Sequence, residues 1–268
     1  MVSPISDAFV QARTGNRLLF FPEVLPGFPN DANSLTALEY VAGMPHCVVK
    51  AATPVPDGHP GNTNDLIRRA HRVAWDGGWD LERVLASLDG LRPNFLVVYS
   101  EAVGNSLEAF LQRCQGRVDA VIFVEGIAGR QSLLVQAGLR PESTPLLSAK
   151  FNVPIVRIAY AAHLDTVEEP VRNTSDLLYL AVSDETGGQM LERDEIQRAV
   201  DHIKAIRDVP LMAGFGIRTP AHVAMLATID GLDGITVGSG LFAALEHSLD
   251  RFKQEVDLLW AAMKRNVP

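Results

Sequence analysis

Two glycine-punctuated segments near the C-terminus have the composition of an anion-binding site. They are Leu211 to Arg218, with the sequence LMAGFGIR, and Gly234 to Gly240, with the sequence GITVGSG. Each is a short apolar run that breaks into glycines, and glycine lets the backbone approach an anion closely. The N–H groups at the start of a following helix supply unpaired donors and a favourable dipole. The pair of turns therefore predicts a phosphate site, whereas one such turn alone would more simply be a tight turn.

Ionisable side chains stand at or just after several apolar runs, and three of them are candidate catalytic groups: Glu23, Lys50 and Glu125. A neutral lysine can form a Schiff base with a carbonyl, and a charged one can bind a carboxylate or an enolate. A carboxyl group whose pKa is raised by burial can act as general acid and base. The alternative for Lys50 is a structural ion pair with Glu23 or Glu125. Glu101 is expected at a solvated rim.

Two polar segments are predicted to be loops beside these groups. Residues 53–65 hold several kinds of turn former after the second apolar run, so we expect a loop that covers the site, with Asp57 as a turn residue and His59 in solvent. Residues 183–188 form a glycine-rich loop after the sixth run. Their amides can also reach a phosphate, with Asp184 and Glu185 facing away from it or contacting another part of the substrate.

These groups must be positioned by an alternation of strands and helices. Eight apolar runs predict strands: Leu18–Phe21, Cys47–Lys50, Phe95–Tyr99, Ala120–Val124, Ile155–Ala159, Leu177–Val182, Leu211–Ala213 and Gly234–Val237. Amphipathic helical stretches separate them, and Asp194 is expected to cap one. Eight such units predict a (β/α)8 barrel in a single domain over residues 1–268, with the site at the C-terminal ends of the strands.

Composition narrows the class of ligand. The chain has 268 residues, 47% of them hydrophobic, and a net charge of -8. It lacks the basic face that nucleic acid or an anionic membrane would require. The two cysteines, Cys47 and Cys114, are expected to be buried and reduced, and neither has metal-ligand spacing. We find no signal peptide and no apolar segment of membrane-spanning length, so we expect a cytoplasmic protein without a metal or cofactor.

Ordered motifs over most of the chain resemble the α-subunit of tryptophan synthase. The segments that carry the resemblance are Phe20–Pro29, Thr53–Asp57, Leu66–Ala74, Tyr179–Ser183, Gly214–Ile217 and Val237–Ser239. The resemblance implies a (β/α)8 barrel that cleaves indole-3-glycerol phosphate by a retro-aldol reaction into indole and glyceraldehyde 3-phosphate. It also implies a β-subunit-like partner. The same resemblance assigns phosphate contacts to Gly187, Gly216, Gly238 and Ser239.

The resemblance weakens at the catalytic positions. The family's second strand ends in Glu-Leu-Gly-x-Pro-Phe-Ser-Asp-Pro, with the Glu as acid and base, and Lys50 stands in its place. The family's catalytic Asp aligns near Gly61. Its tyrosine on the sixth strand falls at Leu180, and the adjacent Tyr179 would point the other way in a regular strand.

Other positions gain acids: Glu23 replaces an aromatic residue, Glu101 an Asn and Glu125 an Asp, while Tyr99 is kept. The sequence therefore predicts a phosphate-binding lyase with altered chemistry. The alternative is a non-catalytic relative that binds a phosphorylated metabolite and regulates a partner.

Overall fold

The computed structural model of the chain describes residues 3–56, 64–104, 106–124, 141–183 and 188–265. Eight parallel strands close into a barrel in chain order, with the last strand hydrogen-bonded to the first. The strands are β1 (Leu19–Val24), β2 (Val49–Ala52), β3 (Asn94–Val98), β4 (Val121–Phe123), β5 (Ile155–Tyr160), β6 (Leu178–Ala181), β7 (Leu211–Gly214) and β8 (Gly234–Val237). This confirms the predicted fold class.

Helices of the described part of the chain surround the barrel. They are α1 (Pro4–Thr14), α2 (Asp31–Ala42), α3 (Asp65–Asp76), α4 (Leu81–Leu88), α5 (Ser100–Val103), α6 (Leu107–Cys114), α7 (Thr144–Phe151), α8 (Glu168–Asn173), α9 (Arg193–Ile206), α10 (Pro220–Leu226), α11 (Ser239–His247) and α12 (Leu249–Ala262). Short 3-10 turns lie at Pro141–Ser143 and Leu164–Thr166.

The strands are nearly all buried along their whole length, which is why they appear in the sequence as continuous apolar runs. Alternate side chains point into the barrel. Phe21 of β1 and Phe95 of β3 meet edge to face there, with ring centroids 5.9 Å apart, and Phe9 of α1 closes the N-terminal end against Phe21. The lower barrel is therefore an aromatic core, and polar interior residues lie toward the C-terminal mouth.

Local signals explain the helix starts, with one correction. The side chain of Asn64 accepts hydrogen bonds from the first-turn amides of α3, so the helix begins at Asp65, the last residue of the segment predicted as a loop. The predicted cap Asp194 is wrong. The cap lies two residues earlier, at a capping box in which Glu192 is the cap and the side chain of Glu195 accepts a hydrogen bond from its backbone N–H.

The cysteines are buried and free, as predicted. Burial raises the pKa of Cys47 and of Cys114 to about 12, so both thiols remain protonated at neutral pH. Within the described residues, no helix is both long and apolar enough to cross a membrane.

Candidate functional site

Lys50 and Glu23 form an ion pair in the mouth of the barrel. The two residues are register partners on the neighbouring strands β2 and β1. Lys50 Nζ lies 2.6 Å from Glu23 Oε2, and the side chains are 5% and 14% exposed. The lysine is therefore closed off from solvent, and the carboxylate is the member of the pair that remains accessible.

Thr236 of β8 fixes the position of the lysine. Lys50 Nζ donates a hydrogen bond of 2.9 Å to Thr236 Oγ1, and that hydroxyl donates to the carbonyl oxygen of Phe21 at 2.8 Å. Because Thr236 and Phe21 are partners across β8 and β1, three adjacent strands hold the ammonium. A side chain whose rotamer is locked in this way is preorganised for binding.

Tyr179 of β6 lies across the barrel from this pair. Lys50 Nζ is 5.6 Å from the centroid of its ring, within cation–π range. Burial is the main reason that the pKa of Tyr179 is raised well above its usual value, and the charge of Glu23 adds to the effect. The phenol thus stays protonated. Because Tyr179 points inward, the next residue, Leu180, faces the helices. The family resemblance places its tyrosine at Leu180, so the inward tyrosine of this chain lies one residue earlier.

Tyr99 and His71 form the wall of the mouth beside β3. Tyr99 is buried, its backbone N–H donates to Thr53 Oγ1 at 3.2 Å, and its ring meets that of His71 edge to face at 4.6 Å. Tyr99, Tyr160 and Glu23 all act electrostatically on Tyr179. Among the described residues, the upper barrel interior therefore combines phenols with the Glu23 carboxylate and the Lys50 ammonium group.

The first glycine turn is strained and tightly packed. Phe215 has a φ of 66° and Gly216 a φ of 72°, both left-handed, and such backbone is unfavourable for a phenylalanine. A Cβ at Gly216 would lie 3.0 Å from Ser183 Cβ and 3.1 Å from Met190 N. The segment after β6 thus lies directly against this turn, and strain of this kind is common at functional sites.

The second glycine turn borders the ion pair. A Cβ at Gly238 would lie 3.3 Å from Glu23 Oε2, and Ser239 is the first residue of α11. The turn predicted to bind phosphate and the ion pair predicted to do chemistry therefore form one continuous site.

The described residues include six of the eight predicted site residues. Lys50 and Glu23 are in direct contact, Gly238 adjoins Glu23, and Ser239 follows Gly238 as the first residue of α11. Tyr99 and Gly216 lie at other strand ends of the same mouth. Glu125, Gly187 and residues 57–63 of the predicted loop are outside the described residues, and Glu101 belongs to the short helix α5.

Sequence reasoning missed Thr236 as a partner of the lysine. A signal was present, because Thr236 is the polar residue of an otherwise apolar strand and lies two residues before the glycine turn at Gly238. No group of three or more His, Cys, Asp or Glu residues in the described ranges is placed to hold a metal ion.

Gly214→Ala tests the packing around the inward tyrosine. The new Cβ would overlap the Tyr179 hydroxyl and lie 2.6 Å from Thr236 Cγ2, so we expect a loss of about 1–3 kcal/mol in the free energy of unfolding. Urea denaturation measures it. Gly240→Ala is the matched control, because its nearest neighbour, Val237 Cγ1, is 3.9 Å from the Cβ position and α11 favours alanine. Equal stability of the two variants would contradict the placement of Tyr179.

The ion pair and the two glycine turns lie at the C-terminal mouth of a closed (β/α)8 barrel. Enzymes of this fold have their active sites at that end of the barrel. The chain belongs to the tryptophan synthase alpha chain family, whose sequence model matches residues 9–267.

Individual relatives agree with that assignment. The tryptophan synthase alpha chain of Gluconacetobacter diazotrophicus is 28% identical over 261 residues, which is 93% of this chain and 89% of the relative. That of Mycobacterium bovis is 24% identical and covers 94% of this chain and 91% of its own length. A structure of Mycobacterium tuberculosis tryptophan synthase superposes with a TM-score of 0.81 at 21% identity, covering 98% of this chain and 99% of that one. The structural match supports the fold.

Proposed function

We propose that this protein is a carbon–carbon lyase of the aldol type that acts in the cytoplasm on indole-3-glycerol phosphate or a related phosphorylated compound. The observation that carries the proposal is the ion pair of Lys50 and Glu23, 2.6 Å long, beside Gly238. Membership of the tryptophan synthase alpha chain family supports the reaction class. The family resemblance assigns the acid and base to the position of Lys50, so the chemistry must be distributed differently here.

Lys50 serves in this proposal as the group that stabilises negative charge. An ammonium has three donors, and among the described residues Glu23 and Thr236 account for two of them. The third is available for an oxyanion that develops as the carbon–carbon bond breaks. A Schiff base at Lys50 would require the amine to leave its contacts with Glu23 and Thr236, which argues against that role.

Glu23 is the proposed proton carrier. It is the more accessible member of the pair, and a positioned carboxyl group contributes roughly 100- to 10,000-fold to a proton-transfer step. Glu125 is a second candidate for this role, and Tyr99 contributes to the wall of the mouth. The substrate phosphate is assigned to the amides of Gly187, Gly216, Gly238 and Ser239, which the tight turns at Gly216 and Gly238 support.

Turnover of indole-3-glycerol phosphate tests the proposal. We expect release of indole and an aldehyde phosphate, measured by chromatography, and loss of that release in Lys50→Met. Incubation with glyceraldehyde 3-phosphate and borohydride should leave the mass of the peptide that contains Lys50 unchanged. A reduced adduct at Lys50 would show that the lysine forms a Schiff base and does not act only by stabilising charge. Equal turnover in Lys50→Met would exclude both roles.

One observation favours a second candidate function. Lys50 is already paired with Glu23 and hydrogen-bonded to Thr236, as expected for a purely structural ion pair. A non-catalytic relative that binds a phosphorylated metabolite and regulates a β-subunit-like partner would need only the glycine turns. For such a protein we expect calorimetry to show binding of phosphate esters and chromatography to show that the esters stay intact. Mixing it with a tryptophan synthase β-subunit should change the activity of that subunit. Cleavage of the ester excludes it.

A further inference from the structure

The position of Glu23 relative to the second glycine turn limits the part of a substrate that it can reach. A Cβ built on Gly238 would be 3.3 Å from Glu23 Oε2 and 3.4 Å from Glu23 Cδ. The carboxylate thus lies against the backbone whose amides are assigned to the phosphate. Proton transfer requires contact at about 2.6–3.2 Å, so a phosphate bound at this turn brings the first carbons of its ester within reach of Glu23.

Lys50 adds a hydrogen-bond donor on the inner side of that carboxylate. Its Nζ lies 2.6 Å from Glu23 Oε2, and it is held in place by Thr236. A carbonyl oxygen that accepted the third N–H of Lys50 would receive a charge-assisted hydrogen bond. The carbon next to that carbonyl would then lie beside Glu23. This is the arrangement required to remove a proton from a carbon adjacent to a carbonyl.

We propose that the site enolises a short phosphorylated hydroxy-carbonyl compound, a triose phosphate, with Glu23 as the base and Lys50 as the donor to the enolate oxygen. This inference rests on the phosphate placement of the proposed function, and it does not require cleavage of a carbon–carbon bond. The Glu23 carboxylate takes the proton from the carbon, and the C–H electron pair forms the carbon–carbon double bond. The carbonyl π pair moves to oxygen, where Lys50 hydrogen-bonds it. Return of a proton from Glu23 to carbon completes the cycle, so no co-reactant is consumed.

Exchange with solvent reveals this reaction without knowledge of the natural substrate. Dihydroxyacetone phosphate is incubated with the full chain in D2O, and the loss of its C–H signals is followed by proton NMR. We expect exchange at least about 100-fold faster with the wild type than with Glu23→Gln, in line with the usual contribution of a general base. Glu246→Gln is the matched control, since Glu246 is an exposed carboxylate on α11 that pairs with Arg69. It should exchange at the wild-type rate.

Two further measurements keep the outcomes separate. The double variant Glu23→Gln/Lys50→Met removes both charges together. It should also lack hydrogen exchange at carbon, and its melting temperature checks that it is folded. Indole release is measured on the same preparations. Exchange without indole release supports enolisation and counts against the lyase, and indole release without exchange overturns enolisation alone. Equal exchange in the wild type and Glu23→Gln overturns the inference and indicates a contaminating isomerase.

Discussion

Replacing Glu23 with glutamine lowers the free energy of unfolding by about 3–5 kcal/mol, because the ammonium of Lys50 is then buried beside a neutral amide. The lysine side chain is only 5% exposed, so solvent cannot take the place of the missing carboxylate. Thr236 still accepts one hydrogen bond, and its hydroxyl is already committed to the carbonyl of Phe21. Urea denaturation followed by circular dichroism measures the loss.

The double variant separates the ion pair from the packing. Lys50→Met alone leaves a carboxylate that is 14% exposed without its cation, so it should also destabilise, though less than Glu23→Gln. Glu23→Gln/Lys50→Met should recover most of the loss, because no unpaired charge remains. Glu246→Gln supplies the comparison. Its pair with Arg69 is 53% and 38% exposed, and its removal should change stability by at most about 1 kcal/mol.

The comparison also bears on why the pair is present. Well-packed apolar residues of similar volume are commonly as stabilising as a buried ion pair, or more so, because two charges lose their hydration. An ion pair at the mouth of a barrel is therefore not needed for stability. Glu23→Gln within about 1 kcal/mol of the wild type would mean that water reaches the ammonium, and the pair would then be more open than its exposure indicates.

The strands could be predicted from the sequence because a barrel strand is covered on both faces. Runs such as Phe95–Tyr99 and Gly234–Val237 are continuous and apolar, and glycine or polar residues end them. Strand ends were less well defined. The first strand extends beyond Phe21 to Val24, and its last residues include Pro22 and Glu23, whose types do not favour a strand. Pairing with β2 and β8 overrides that local preference.

The members of the site could be predicted singly, but their arrangement could not. Lys50 and Glu23 are noticeable as charges at the ends of apolar runs, and the family resemblance makes both positions unusual. Their contact depends on the register between β1 and β2, which sequence spacing does not define. The inward orientation of Tyr179 has the same cause, since a shift of one residue exchanges the two faces of a strand. Gly214 provides the space that makes this orientation possible.

Lys50→Glu combined with Glu23→Phe should increase indole release from indole-3-glycerol phosphate by about 100-fold, the lower end of the usual contribution of a general acid and base. The pair of substitutions returns both positions to the types that the family resemblance assigns to them, a carboxylate on β2 and an aromatic residue on β1. The gain should stay at the lower end because the family's second catalytic carboxylate aligns near Gly61 and is not restored.

The single variant should behave differently for an electrostatic reason. Lys50→Glu alone sets two carboxylates side by side at positions that are register partners, and like charges at such a distance cannot both ionise readily. It should therefore be less stable than the double variant and release less indole. Lys50→Gln combined with Glu23→Phe has nearly the same shape without a carboxylate or an ammonium at either position, so it should lose the indole release of the wild type. Equal indole release from the Gln and Glu forms, both folded by melting temperature, would mean that the identity of residue 50 does not control the chemistry of this barrel.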